Sequence, residues 1–158
     1  PSVNIVQYPA AGLRYTESFR RRNMKCVMII DHNLPVGLIA NTSAALGISI
    51  ASAVTGLSGK PVRDADGRDH AGVTRVPIPV LALEKGELKT MYDELMQTED
   101  EEMRLIGFND VAQKCADYSE YTLKIAAAGK EDLNYLGFCV YGSREKVNKL
   151  TGSIRMLR

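Results

Sequence analysis

Six polar side chains in two short segments hold most of the chemistry this sequence offers. Asp31, His32 and Asn33 follow the apolar run KCVMII, and Asn41 lies a few residues further on. His70 and Thr74 belong to a second, glycine-rich stretch, GLSGKPVRDADGRDHAGVT. Imidazole titrates near neutrality, so His32 or His70 would serve as a general base or hold an anion. If the two segments meet, His32, His70, Asn41 and Thr74 form one polar pocket. Together with Asp31, Asn33 and Gly37 they are the expected ligand-binding set, and the two histidines are the candidate catalytic bases.

Other chemistry-bearing types have weaker settings. Ser43 lacks the G-x-S-x-G surroundings of a nucleophile and lies on an apolar stripe. Asp64-x-Asp66-Gly67 matches part of a calcium loop but lacks the remaining ligands and the distal Glu, so it is read as a turn. Cys26, Cys115 and Cys139 are odd in number and far apart, with no Cys-x-x-Cys and only two histidines to complete a zinc site. Neither metal nor cofactor is expected, and Cys26 and Cys139 read as buried free thiols. Tyr118 and Tyr121 share a helical face, which favours core packing over stacking on a base. Arg144, Lys146 and Lys149 are candidates for nucleic-acid contact, and Asn148, Lys149 and Thr151 for orienting a phosphate, although this pattern also suits the end of a short helix.

Charge supports no single partner class. The chain has 20 Lys and Arg against 19 Asp and Glu. Basic residues cluster at Arg20, Arg21, Arg22 and Lys25 and again from Arg144 to Arg158, whereas Asp93, Glu94 and the run Glu99–Glu102 are acidic. A nucleic-acid face would have to exclude the acidic surface. No stretch approaches the ~18 uninterrupted apolar residues of a membrane span, and no basic segment followed by an apolar run opens the chain. The start Pro1-Ser2 fits removal of an initiator Met, so a cytoplasmic location is expected.

The elements that must position these residues follow from the patterning. Residues 1–23 show no sustained period and read as an N-terminal extension; residues 24–158 read as one α/β domain. Lys25–Ile30 is apolar on both sides, as in a strand covered on both faces. Pro35 suits the first turn of a helix running from about Val36 to Val54. At 100° per residue, Ile39, Leu46, Ile50 and Val54 form its large apolar stripe, and Gly37, Ala40, Ala44, Gly47 and Ala51 a stripe of minimal side chains beside it. Two interior glycines each cost up to ~1 kcal/mol relative to Ala, which predicts close packing of that stripe on a sheet. Asn41, Thr42, Ser49 and Ser52 would face solvent or a partner. Val73–Leu83, with Pro77 and Pro79 at alternate positions, reads as an edge strand. Further elements are a helix near Glu87–Gln97, a strand at Arg104–Phe108, a helix capped by Asp117 with Glu120 three residues on, a buried strand at Tyr135–Tyr141, and a short helix holding Val147 and Leu150. An extended piece near Ile154–Leu157 ends the chain. This alternation predicts a three-layer α/β/α sandwich with a small mixed sheet.

Two segments carry a family resemblance. PVGLIANTSAALG resembles the GKxAAQxxHAALG helix start of type 2 peptidyl-tRNA hydrolases, and YLGFCVYGSREKVNKLTGSIRMLR is similar to that family's closing strand, short helix and Thr-Gly pair. From Lys25 to Arg158, including HAGVTRVPIPVL and DYSEY, the chain more closely resembles an uncharacterised bacterial family sharing that fold, whose function is unassigned. The resemblance implies the hydrolase fold without its polar residues: the hydrolases' helix Lys falls at Val36, their Gln at Ala40 and their His at Ser43. Their Asp-Ala-Gly-Arg-Thr segment aligns poorly with TLKIAAAGKED, leaving Asp110 as the one residue that would supply a comparable carboxylate. The leading expectation is therefore a binding protein for an anionic small molecule or a nucleic acid such as tRNA, or an unusual enzyme. The alternatives are hydrolysis of peptidyl- or aminoacyl-tRNA or another acyl ester, and a structural homo-oligomer, most simply a dimer.

Overall fold

The structure, a computed structural model, describes residues 23–158 apart from Glu99. The expected extension and the Arg20–Arg22 cluster fall outside these residues. In chain order the elements are β1 (Met24–Asp31), α1 (Val36–Ala53), a hairpin of β2 (Val62–Arg63) and β3 (Asp69–His70), β4 (Val80–Leu83), α2 (Lys85–Met96), β5 (Arg104–Asn109), α3 (Asp110–Lys114), α4 (Tyr118–Ala127), a 3-10 turn at Lys130–Asp132, β6 (Tyr135–Ser143) and α5 (Arg144–Thr151).

Four strands form one mixed sheet in the order β4-β1-β6-β5. β1 runs parallel to β4 and antiparallel to β6, which in turn runs antiparallel to β5. Strands β1, β4 and β5 therefore point the same way and end at one edge. The last strand, β6, lies between β1 and β5. Cys26–Asp31 and Leu136–Gly142 are buried throughout, as continuous apolar runs require in central strands covered on both faces. Cys26, Met28, Ile30, Cys139 and Tyr141 pack under Leu46 and Ile50 of α1. Val27, Ile29, Phe138 and Val140 pack against Leu88 and Tyr92 of α2 and Val147 of α5. The result is helix, sheet and helix in three layers, each large buried aliphatic contributing on the order of 1.5–3 kcal/mol. β4 is an edge strand, and its free side is covered by the chain end: Leu81 pairs with Met156, and Ala82 N–H donates to the Arg155 carbonyl at 2.9 Å.

Several sequence expectations need correction. The strand expected over Val73–Leu83 shrinks to Val80–Leu83, because Pro77 and Pro79 have no N–H for a ladder. The β2–β3 hairpin turns at the hairpin-type signal Asp66-Gly67, whereas α3 has no counterpart in the expected elements. The small-residue stripe of α1 is not where the helix meets the sheet: Gly37, Ala40, Ala44 and Ala51 are exposed. A Cβ added to Gly37 would meet nothing within 4 Å, and one on Gly47 only the Met28 methyl at 3.7 Å. Thr42, expected to face outward, is instead fully buried. The close approach belongs to the sheet residue Gly137, where a Cβ would lie 2.9 Å from both the Ile29 carbonyl oxygen and Thr42 Cγ2. By length and mean hydropathy (18 residues, 1.5) α1 would also serve as a membrane span; here its Thr42, Leu46 and Ile50 are buried against the sheet. Tyr118, expected in the core, is 81% exposed, and its ring packs on Tyr121 at 5.7 Å.

Candidate functional site

Open α/β sheets place ligands beyond the carboxyl ends of parallel strands. At that edge a cavity of about 210 Å³ opens, and each of the three strand ends contributes a charged side chain. β1 supplies Asp31, β4 leads into Lys85, and β5 leads into Asp110. Asn134 and Tyr135, at the start of β6, complete the polar rim with Gln113, while Leu34, Leu38 and Leu136 give it an apolar floor.

Local structure explains how these groups are held. Asp31 is 6% exposed, and its Oδ1 accepts from the Asn33 N–H at 3.0 Å, which turns the chain sharply after β1. The ladder between β5 and β6 shifts register at Phe108 and Asn109, a bulge that re-aims the residues after it. Asn109 then caps α3 by accepting from the Ala112 N–H at 2.9 Å. Asp110 is tied to the segment before β6 from both directions: its N–H donates to the Asn134 carbonyl at 2.8 Å, and its Oδ1 accepts from the Asn134 N–H at 3.2 Å. Lys114 Nζ reaches Asp110 Oδ2 at 3.3 Å. Partial burial works to raise the Asp110 pKa, but the Asn134 amide and the Lys114 ammonium outweigh it, and the carboxyl is held below its ordinary value. At neutral pH it is an ionised acceptor. The Tyr135 phenol is pushed up, first by burial and then by the charge of Asp93, so it stays neutral. Its ring stacks on Tyr92 at 4.0 Å. Lys85 is exposed and forms no ion pair among the described residues, and α2 begins there without a side-chain cap.

Of the residues expected to bind ligand, only Asp31 lines the cavity. His32 lies beside it but engages Arg155, 3.4 Å from its Nε2, and Glu84 at 3.9 Å. Asn33, Gly37 and Asn41 are exposed and outside the lining. His70 is in the β2–β3 hairpin, where its Nε2 sits 2.9 Å from Asp64 Oδ2. Thr74 donates to the Val76 carbonyl in its own loop at 2.8 Å. The expected pocket of His32, His70, Asn41 and Thr74 is therefore not formed: each histidine is occupied by its own neighbours. Asp64 Oδ1 accepts from the N–H groups of Asp66 and Arg68, and Gly67 takes φ +83°, so Asp64–Gly67 is the turn it was read as. In the basic set, Lys146 is paired with Asp100 at 2.7 Å and Glu102 at 3.0 Å, which cancels its charge, while Arg144 and Lys149 stay exposed. Cys26 and Cys139 are buried free thiols, as expected, with sulfurs 3.5 Å apart. Among the described residues no three His, Cys, Asp or Glu side chains are grouped to hold a metal.

A family model for proteins of unknown function, DUF2000, matches residues 24–158. The chain belongs to the DUF2000 family. No curated protein matches it. A solved structure of a protein of unknown function, Atu0240 from Agrobacterium tumefaciens strain C58, is similar to it with a TM-score of 0.75 and 17% identity, covering 85% of this chain and 97% of that one. At that identity the likeness establishes a shared fold.

In this DUF2000 chain, Lys85, Gln113, Asn134 and Tyr135 were not visible as site residues from sequence. The rule that picked out Asp31 reaches Lys85 as well, since Asp31 ends β1 and Lys85 comes two residues after β4. It missed Asp110 as a lining residue because α3, only five residues long and opened by an Asn cap, has no apolar period to announce it.

Proposed function

We propose that this chain is a small-molecule-binding protein whose site is the cavity at the shared end of β1, β4 and β5. One observation carries the reading: Asp31, a carboxyl at the end of a central strand, is 6% exposed, lines the cavity and, among the described residues, accepts only from the Asn33 amide. A carboxyl at this depth with a single protein donor keeps acceptor capacity that a ligand donor would use. The cavity is below the ~300 Å³ of sites for drug-sized ligands, which favours a small metabolite over a polynucleotide. Two carboxyls against one lysine also make a purely anionic ligand a poor match. The free thiols fit a reducing compartment, so a cytoplasmic location goes with this reading. The test is a thermal-shift screen of small polar metabolites on the wild type, repeated with Asp31→Asn and Asp110→Asn. A ligand that raises Tm in the wild type and not in the variants supports the site; a screen with no shift in any protein rejects it.

A second reading has one observation of its own. Asp110 lies in the cavity as an ionised carboxylate, comparable to that of the Asp-Ala-Gly-Arg-Thr segment of type 2 peptidyl-tRNA hydrolases, whose helix Lys, Gln and His have no counterpart here. It would orient water for attack on an acyl ester, because the lining contains no Ser, Thr, Cys or His. Release of the acyl group from peptidyl-tRNA by the wild type, lost in Asp110→Asn, would support it; no release at high enzyme concentration ends it.

Self-association belongs to the leading proposal. Val36 and Ile48 are 83% and 71% exposed on α1, a helix without a single charged residue, so two copies would meet there without like-charge repulsion.

A further inference from the structure

We infer that the ligand is a small zwitterion of the α-amino-acid type, its carboxylate held at Lys85 and its ammonium at Asp31. The inference rests on the cavity being the binding site and goes further by reading the order of charge across it. Because the sheet runs β4-β1-β6-β5, the residues at the shared edge come in the order Lys85, Asp31, Asn134, Asp110. Neighbouring strands are ~4.8 Å apart, so the cavity is positive at its β4 side and negative one strand further in. That order suits a ligand carrying both charges, its anionic group toward β4 and its cationic group toward β1.

Each end is built for its charge. Lys85 is the exposed first residue of α2, where the helix dipole disfavours a cation; Glu87 is the acid of that turn, and among the described residues Lys85 forms no ion pair. Side chains that break a local rule without a visible partner are expected where a ligand completes the set. The first-turn amides of this 12-residue helix also lack a side-chain cap, leaving N–H donors for the same anionic group. At the other end the buried Asp31 has room for a further donor, and Asp110 reinforces the negative side. The remaining wall is apolar, from Leu34, Leu38 and Leu136, which suits an aliphatic side chain. A cavity of about 210 Å³ is on the scale of a single small metabolite such as an amino acid.

The test is calorimetric titration with L-alanine, L-valine and L-leucine, set against 4-methylpentanoate, which lacks the amine, 3-methylbutylamine, which lacks the carboxylate, and erythritol, which is uncharged. The expected result is saturable binding of at least one amino acid, with each truncated analogue weaker by about tenfold or more. Lys85→Gln should bring the amino acid down to the affinity of the amine, and Asp31→Asn to that of the acid. Should Asp31→Asn fail to fold, Asp110→Asn, which alters a less buried carboxyl, is expected to weaken the amine more than the acid. Equal binding of an analogue and its parent amino acid, or binding of erythritol or another neutral metabolite in their place, overturns the zwitterion while leaving the cavity as the site. No saturable binding of any probe or screened metabolite overturns both.

Discussion

Replacing Thr42 by Val tests the seam that fixes the floor of the cavity. Thr42 lies one turn beyond Leu38 on α1 and packs on Gly137, the neighbour of Leu136, so the helix reaches the sheet between two residues that line the site. Its side chain is fully buried, and its Oγ1 is the one buried side-chain oxygen or nitrogen among the described residues with no hydrogen-bond partner. A buried hydroxyl without a partner costs about 1–3 kcal/mol in proteins. Val keeps the Cγ2 methyl that meets Gly137 and exchanges the hydroxyl for a methyl of similar size. Thr42→Val should therefore stabilise by about 1–2 kcal/mol, or roughly 2–8 °C in Tm for a domain of this size. The companion change Gly137→Ala should destabilise by about 1–3 kcal/mol, since the Ile29 carbonyl at 2.9 Å is backbone and cannot yield cheaply. The two are in contact, so shortening residue 42 by Thr42→Ser, which removes Cγ2, should recover part of the Gly137→Ala loss. Calorimetry or urea unfolding reads all of these. A Thr42→Val protein that melts lower than the wild type would refute the reasoning, because it would mean the hydroxyl has a partner or the seam does not hold the helix.

Three further outcomes follow from the same geometry. Asp110 has a folded pKa held below its unfolded value of ~3.9, so its contribution to stability is complete above that value and is lost as pH falls through the folded pKa. The stability gap between wild type and Asp110→Asn, less than about 1 kcal/mol for so exposed an ion pair, should be present at pH 7 and close below pH ~4, and a gap that does not change with pH contradicts this. His70→Gln removes a contact inside the β2–β3 hairpin, far in function from the cavity, so it should leave ligand binding unchanged and global stability within about 0.5 kcal/mol; loss of binding would restore His70 to the site. Ile48→Glu puts a charge on the outward face of α1 and should abolish any concentration-dependent dimer seen by sedimentation velocity, without lowering Tm; a dimer unchanged in this variant places the contact elsewhere.

The legible part of this fold is the part written in continuous segments. β1, α1 and β6 announce themselves by apolar runs and by a Pro, and their bounds fall within two residues of those read from the pattern. The large apolar stripe of α1, Ile39, Leu46, Ile50 and Val54, does pack on the core as its spacing says, but the point of closest approach was not legible. The Gly and Ala stripe invites the inference that small residues mark close approach, but closeness here is set by the missing side chain on the sheet, at Gly137, and the helix answers with Thr42. Tyr118 misled in a related way, because a shared helical face says that residues lie together and not which way the face points. α4 has no buried residue at all.

Legibility of the site fails for a topological reason. Asp31, Lys85, Asp110 and Asn134 have no motif spacing, since each follows or precedes a different strand, and they become neighbours only because β6, the last strand, enters the sheet between β1 and β5. Strand order is a property of long-range pairing and leaves no local trace. The histidines, conspicuous in the sequence, prove to be held by local partners, Asp64 in a hairpin and Glu84 and Arg155 at the covered edge. A side chain already satisfied by its own loop has little left to offer a ligand. Lys85 and Asp31 are the reverse: among the described residues one forms no ion pair at a helix start, and the other has one donor on it. Incomplete local satisfaction, more than residue type, is what marks this edge of the sheet as the candidate site.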